Sequence, residues 1–134
     1  MVLGFDFGMK YIGIATGQEV TKTATPLTSI KASNGIPNWD SIAELINIWR
    51  PSALIVGNPP ANNASTQLMC QRIRKFSNRL HAKFNLPVHL VDENLSTWEA
   101  KQQLNMTTRY LDSKDLTKIN AAAAMIILEQ WLNM

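Results

Sequence analysis

Asp6 stands among Leu3, Phe5 and Phe7 in an otherwise apolar opening run, where a carboxylate is costly unless a cation, a charge partner or hydrogen-bond donors stabilise it. A second strand-like run, Pro87 to Val91, delivers two more acids, Asp92 and Glu93, at its end. Strand alternation aims only one of them at a given face; we assign Glu93, with Asp92 as the alternative. If the two strands are adjacent and parallel, their C-terminal ends bring Asp6 and Glu93 together. Two hard carboxylates so placed repel each other but jointly bind Mg²⁺ or Mn²⁺. Such a site polarises a phosphodiester and activates water, and a two-metal version stabilises both the attacking and the leaving oxygens. The plainer alternative is a structural Asp6, hydrogen-bonded in a turn with Gly4 and Gly8.

A phosphate-bearing substrate has further counterparts. Arg72, Arg74, Lys75, Arg79 and Lys83 lie between Ser65 and Phe84 with no acid among them, which suits a polyanion such as nucleic acid. A solvated helix face is the plainer reading of the same run. The loop from Asn58 to Ala64 leads to Ser65, a candidate cap of that basic helix, whose free N–H groups and dipole favour a phosphate. Lys10, in the turn after Asp6, is placed for another phosphate contact. Trp39 and Trp98 offer surfaces for base stacking, although packing is the expected role of both.

These residues must be positioned by an alternation of strands and helices. Met1 to Gly8 and Tyr11 to Thr16 read as a hairpin, and Ala24 to Lys31 as a third strand before the turn residues Asn34-Gly35-Ile36-Pro37. A helix follows, capped by Asp40 or Ser41, with Ile42, Leu45, Ile46 and Trp49 on one face and Pro51 at its end. Ala53 to Gly57 is the continuous apolar run of a buried parallel strand. The basic helix then turns Met69, Ile73, Phe76 and Leu80 inward. After Asp92-Glu93, Ser96-Thr97-Trp98-Glu99 matches the capping box of another helix. A loop holding Tyr110 to Asp115 precedes a last helix from about Thr117, apolar enough through Leu132 to pack on the sheet.

The 134 residues, 46% hydrophobic, suffice for one core and are short for two domains. The expectation is one domain, α/β in class. One cysteine, Cys70, and two histidines, His81 and His89, offer no zinc-ligand cluster. With no basic leader before Val2 and no apolar stretch of bilayer length, the expected location is the cytoplasm.

Read in order, Gly4-Phe5-Asp6-Phe7-Gly8-Met9-Lys10 through Ile12-Gly13-Ile14-Ala15, then Ile55-Val56-Gly57-Asn58-Pro59, then Asp92-Glu93-Asn94-Leu95-Ser96-Thr97 resemble the YqgF family, also called RuvX, over nearly the whole chain. The resemblance implies a ribonuclease H-like fold: a mixed five-stranded sheet, its first three strands antiparallel, flanked by helices. It also implies metal-dependent phosphodiester cleavage, with pre-16S ribosomal RNA as the expected substrate and branched DNA, the Holliday junction, as an older assignment. On this pattern Asp6 and Glu93 match family acids, Lys10 matches a basic or polar turn position, and a third acid should fall at residue 120. Here that residue is Asn120, and Asn94 stands where the family has Arg. An amide oxygen can coordinate a metal but adds no charge and cannot act as a base. Asp112 or Asp115 would compensate only from a suitable loop, because on a continuous helix Asp115 faces about 140° away from Asn120. The Asp6-Phe7-Gly8 motif also opens actin-like ATPases, an architecture of two related domains that this chain is too short to build.

Overall fold

A computed structural model describes residues 1–106 and 113–134. The strands β1 (Val2–Asp6), β2 (Tyr11–Gln18) and β3 (Thr23–Ser33) form an antiparallel meander. A two-residue strand, β4 (Ile36–Pro37), pairs with the end of β3. Helix α1 (Trp39–Trp49) crosses to β5 (Ala53–Asn58), which lies parallel to β1 on its other side, and α2 (Ala64–Phe84) crosses to β6 (Val88–Asp92), parallel to β5. The sheet order is β4-β3-β2-β1-β5-β6. Helices α3 (Leu95–Met106) and α4 (Ser113–Leu132) complete the described chain. The mixed five-stranded sheet expected from the sequence is present with β4 added at its edge. Ile36 and Pro37, read as turn residues, make that addition because Gly35, at φ +77°, turns the chain back onto β3.

Strand alternation sorts the core into two faces. Leu3, Phe5, Ile12, Ile14, Leu54 and Val56 pack with Ile42 of α1 and with Ile73, Phe76 and Leu80 of α2. Val2, Ala15, Ile55 and Val91 pack with Ala124, Leu128 and Leu132 of α4. The apolar C-terminal helix therefore docks on the sheet as its composition suggests, beginning at Ser113 rather than near Thr117. Trp49, placed by periodicity on the inner face of α1, is instead 38% exposed, in the last turn of the helix ahead of the left-handed cap Arg50. Among the described residues no helix is long and apolar enough to cross a membrane.

The α4-facing side of the sheet is built close. A Cβ on Gly4 would approach Leu128 Cβ to 3.1 Å, and one on Gly13 would coincide with the backbone carbonyl oxygen of Asn120. Gly13 pairs with Asp6 across the β1–β2 ladder, so this close approach sets Asn120 at the level of Asp6. Gly13→Ala forces two backbones apart and is expected to cost about 3 kcal/mol or more, the upper range for overpacking, read as a lowered midpoint in urea unfolding.

Asparagines, rather than the neighbouring serines and acids, cap the first three helices. Asn38 accepts from the Asp40 amide, Asn63 forms a reciprocal capping box with Thr66, and Asn94 Oδ1 accepts from the Thr97 amide at 2.8 Å. Each stands two or three residues before the cap read from sequence, Asp40 or Ser41, Ser65 and Ser96 respectively. Asparagine competes on equal terms at this position, so residue type alone does not decide among adjacent candidates.

Candidate active site

The C-terminal ends of parallel strands are where ligands bind in open α/β sheets, and three of this chain's charged side chains meet there. Asp6 ends β1 and shares the face of Val2 and Gly4, toward α4. Glu93 follows β6 with the parity of Val91, and its Oε2 lies 3.0 Å from where a Cβ on Gly57 would sit. The assignment of Glu93 over Asp92 thus agrees with the geometry: Asp92 turns the other way, where Asn58 Nδ2 donates to its Oδ1 at 3.1 Å.

The third charge is Lys101 of α3, which had no place in the sequence reading. Its Nζ lies 2.7 Å from Asp6 Oδ1 and 2.8 Å from Glu93 Oε1. The lysine is 6% exposed and Glu93 5%, so this is a buried triad. Burial alone would lower the Lys101 pKa, but Asp6 and Glu93 outweigh it, and the ammonium is held above its ordinary range. Burial raises the Glu93 pKa against the pull of Lys101, with Asp6 adding to the rise. The formal charges, two negative and one positive, leave one negative charge in the triad. Glu93 Oε2 finds no hydrogen-bond donor among the described residues, and neither does Asn120 Nδ2 an acceptor.

The Glu93 backbone is fixed on both sides. Its amide donates to Asn58 O at 2.9 Å. Gln130 of α4 donates through Nε2 to Asp92 O at 2.9 Å and accepts at Oε1 from the Asn94 amide at 3.0 Å, clasping the three-residue turn that carries Glu93. Gln130 escapes a motif search because it belongs to an apolar helix, 36 and 38 residues along the chain from the two residues it bonds. Lys101 carried no such signal either: α3 lacks an apolar stripe from which an inward face could be read.

Asp6 and Lys101 open onto a cleft of about 220 Å³ walled by Phe7, Gly57, Pro59, Ser65, Thr66, Met69, Trp98 and Gln102, among others. Glu93 lies behind Lys101, its side chain wholly buried. Ser65, in the first turn of α2, thus reaches the site, whereas Arg72, Lys75 and Arg79 line a neighbouring groove of about 170 Å³ with Trp39, Gly35 and Phe76. Phe7 borders both. Lys10 is exposed on the β1–β2 turn. The side-chain oxygen of Asn94 is committed to capping α3. Trp39 packs on Phe76 at 5.8 Å and beneath Lys83, and Trp98 lies 5.7 Å from the Lys101 ammonium, so both take packing roles. Asp115 is helical, in the first turn of α4, so the loop geometry that would have let it replace Asn120 is not formed; Asp112 lies outside the described residues.

The donor set suits a hard divalent cation in kind: two carboxylates converge on one point, and a buried carboxylate oxygen has no donor of its own. Among the described residues no three Asp, Glu, His or Cys side chains group around such an ion; Asp6 and Glu93 are the pair that converges, and the Asn120 backbone is held at the level of Asp6 by its approach to Gly13.

Asp6 at the end of β1 and Glu93 after β6 are parallel-strand acids as expected, but the strands are not adjacent. Between them lies β5, whose Gly57 has no side chain and leaves room for Glu93 to reach across. The sheet order is that of a ribonuclease H-like fold. The fold is similar to that of T. thermophilus RuvC in complex with Holliday junction substrate (TM-score 0.55, 16% identity, covering 98% of this chain and 92% of that one). The family model described as RuvX, Holliday junction resolvase, matches residues 1–134, and the chain belongs to that family. Relatives named "Putative pre-16S rRNA nuclease" include one from Nitrosococcus oceani, 46% identical over 98% of this chain and 86% of its own length. Another, from Shewanella oneidensis, is 48% identical over 97% of this chain and 92% of its own.

Proposed function

We propose that this protein is a divalent-metal-dependent nuclease that trims structured RNA at the 5′ end of pre-16S ribosomal RNA in the cytoplasm, as part of ribosome biogenesis. The observation that carries the reading is the convergence of Asp6 and Glu93 on a single cation at the strand ends. The names of relatives nearly half identical over nearly the full chain support the substrate.

The residues divide the work by depth. Asp6, its side chain 19% exposed at the cleft, meets the scissile phosphate, while Glu93 holds its place from behind, pinned by Asn58 and Gln130. Mg²⁺ or Mn²⁺, held by Asp6, Glu93 and the oxygen of Asn120, supplies polarisation of the phosphodiester and activation of water. Ser65 and the start of α2 take a neighbouring phosphate, and Lys10, Arg72, Lys75 and Arg79 hold the flanking backbone, which confers affinity without base information.

A catalytically weakened, RNA-binding member of the family is the second reading, favoured by Asn120. Its Nδ2 is buried without an acceptor, and a carboxylate there would complete a third acidic ligand. Asn120→Asp is expected to raise metal-dependent cleavage about tenfold or more if the ligand set limits the wild type; unchanged turnover in the variant shows that the amide suffices. The test of the main proposal compares cleavage of precursor 16S RNA with that of a four-way DNA junction across a metal titration at fixed salt. Metal-dependent processing of the RNA is expected, and cleavage of the junction alone would move the substrate to branched DNA.

A further inference from the structure

Helix α3 is attached in an unusual way. Its buried side chains are Thr97 and Lys101, both polar, while Leu95 is 68% and Met106 79% exposed. A helix ordinarily docks through an apolar stripe; this one packs beside α4 and inserts an ammonium between two carboxylates. That ammonium stands where the acids converge, and a divalent ion bound to the same oxygens at about 2.0–2.6 Å would leave no room for it. The charge balance favours exchange: Lys101 leaves one negative charge on the pair, whereas a divalent ion cancels both.

We propose that Lys101 is a resident counter-ion of the Asp6–Glu93 pair, that it and the divalent metal are alternatives at one position, and that metal entry unseats α3. The proposal rests on the metal-dependent reading above. Without metal, Lys101 prevents repulsion between the acids and keeps the pair in register for a ligand. With metal, the lysine swings out on its four-carbon stem toward the cleft it already lines with Trp98 and Gln102, so its charge reaches the face where a phosphate lies. The apparent metal affinity of the wild type is then reduced by the fraction of molecules in which Lys101 is seated.

The test is calorimetric titration of Mn²⁺, without nucleic acid, into the wild type and into Lys101→Met and Lys101→Arg. Methionine is unbranched and uncharged and only one atom shorter than lysine, and its soft thioether does not ligate a hard ion. Lys101→Met is expected to bind Mn²⁺ at least about tenfold more tightly than the wild type, and Lys101→Arg no more tightly. A purely structural lysine would give equal or weaker binding in the methionine variant, which overturns the proposal. Absence of binding in all three proteins overturns the metal reading itself. A second measurement uses the wild type alone: Mn²⁺ should accelerate amide hydrogen exchange across residues 95–106, and unchanged or slowed exchange there contradicts the unseating of α3.

Discussion

Asp6→Asn lowers metal-dependent cleavage by at least about 100-fold, the order expected when a single group acting on the transition state is lost, with thermal stability nearly preserved. The two halves of this expectation have different origins. Activity falls because an amide removes a negative charge from the one acid that faces the cleft, and Glu93, wholly buried behind Lys101, cannot take over its contact. Stability holds because the triad changes from one net negative charge to none: Lys101 keeps Glu93 at 2.8 Å, and the repulsion between the acids disappears. The lost charged hydrogen bond and the relieved repulsion oppose each other, leaving a change within about 2 kcal/mol. Cleavage rates and a urea unfolding curve on the same preparation check both halves. Retained cleavage would remove Asp6 from the mechanism.

Lys101→Ala is expected to have the opposite signature, destabilising the metal-free protein by about 3–5 kcal/mol, as breaking a buried ion pair does. It strands two carboxylates side by side, one of them 5% exposed, and removes the charged anchor of α3. Against a typical total stability of about 5–15 kcal/mol, this is large enough to see directly in denaturant midpoints, and adding Mn²⁺ should recover part of the loss by neutralising the unpaired carboxylates. A loss below about 1 kcal/mol would mean that the triad is solvated and contributes little.

Much of this architecture is legible in the chain itself. Alternation around Asp6, the continuous apolar run of β5 and the 3.6-residue stripe of α2 each follow from one periodicity, and the α2 stripe at Ile73, Phe76 and Leu80 is buried as read. The choice of Glu93 over Asp92 likewise needed only strand parity. What escaped the sequence is set by contacts between distant elements. Lys101 looks like a solvated helical residue until β1 and β6 are brought beside α3. Gln130 is one polar residue in an apolar helix until its amide spans Asp92 and Asn94. Asn94 stands where the family resemblance expects a phosphate-binding arginine, yet its side-chain oxygen caps α3. The basic stripe read from sequence stays together, with Arg72, Lys75 and Arg79 lining one groove, but that groove adjoins the cleft, which α2 reaches only through its N-terminal half.

Crystals of the wild type soaked in Mn²⁺ and measured for anomalous scattering test the central claim, that Asp6 and Glu93 are the paired ligands of a catalytic cation. The account predicts a manganese peak bound by both carboxylates, with Lys101 displaced from between them. Manganese bound elsewhere, with Lys101 still bridging Asp6 and Glu93 at saturating metal, would contradict it.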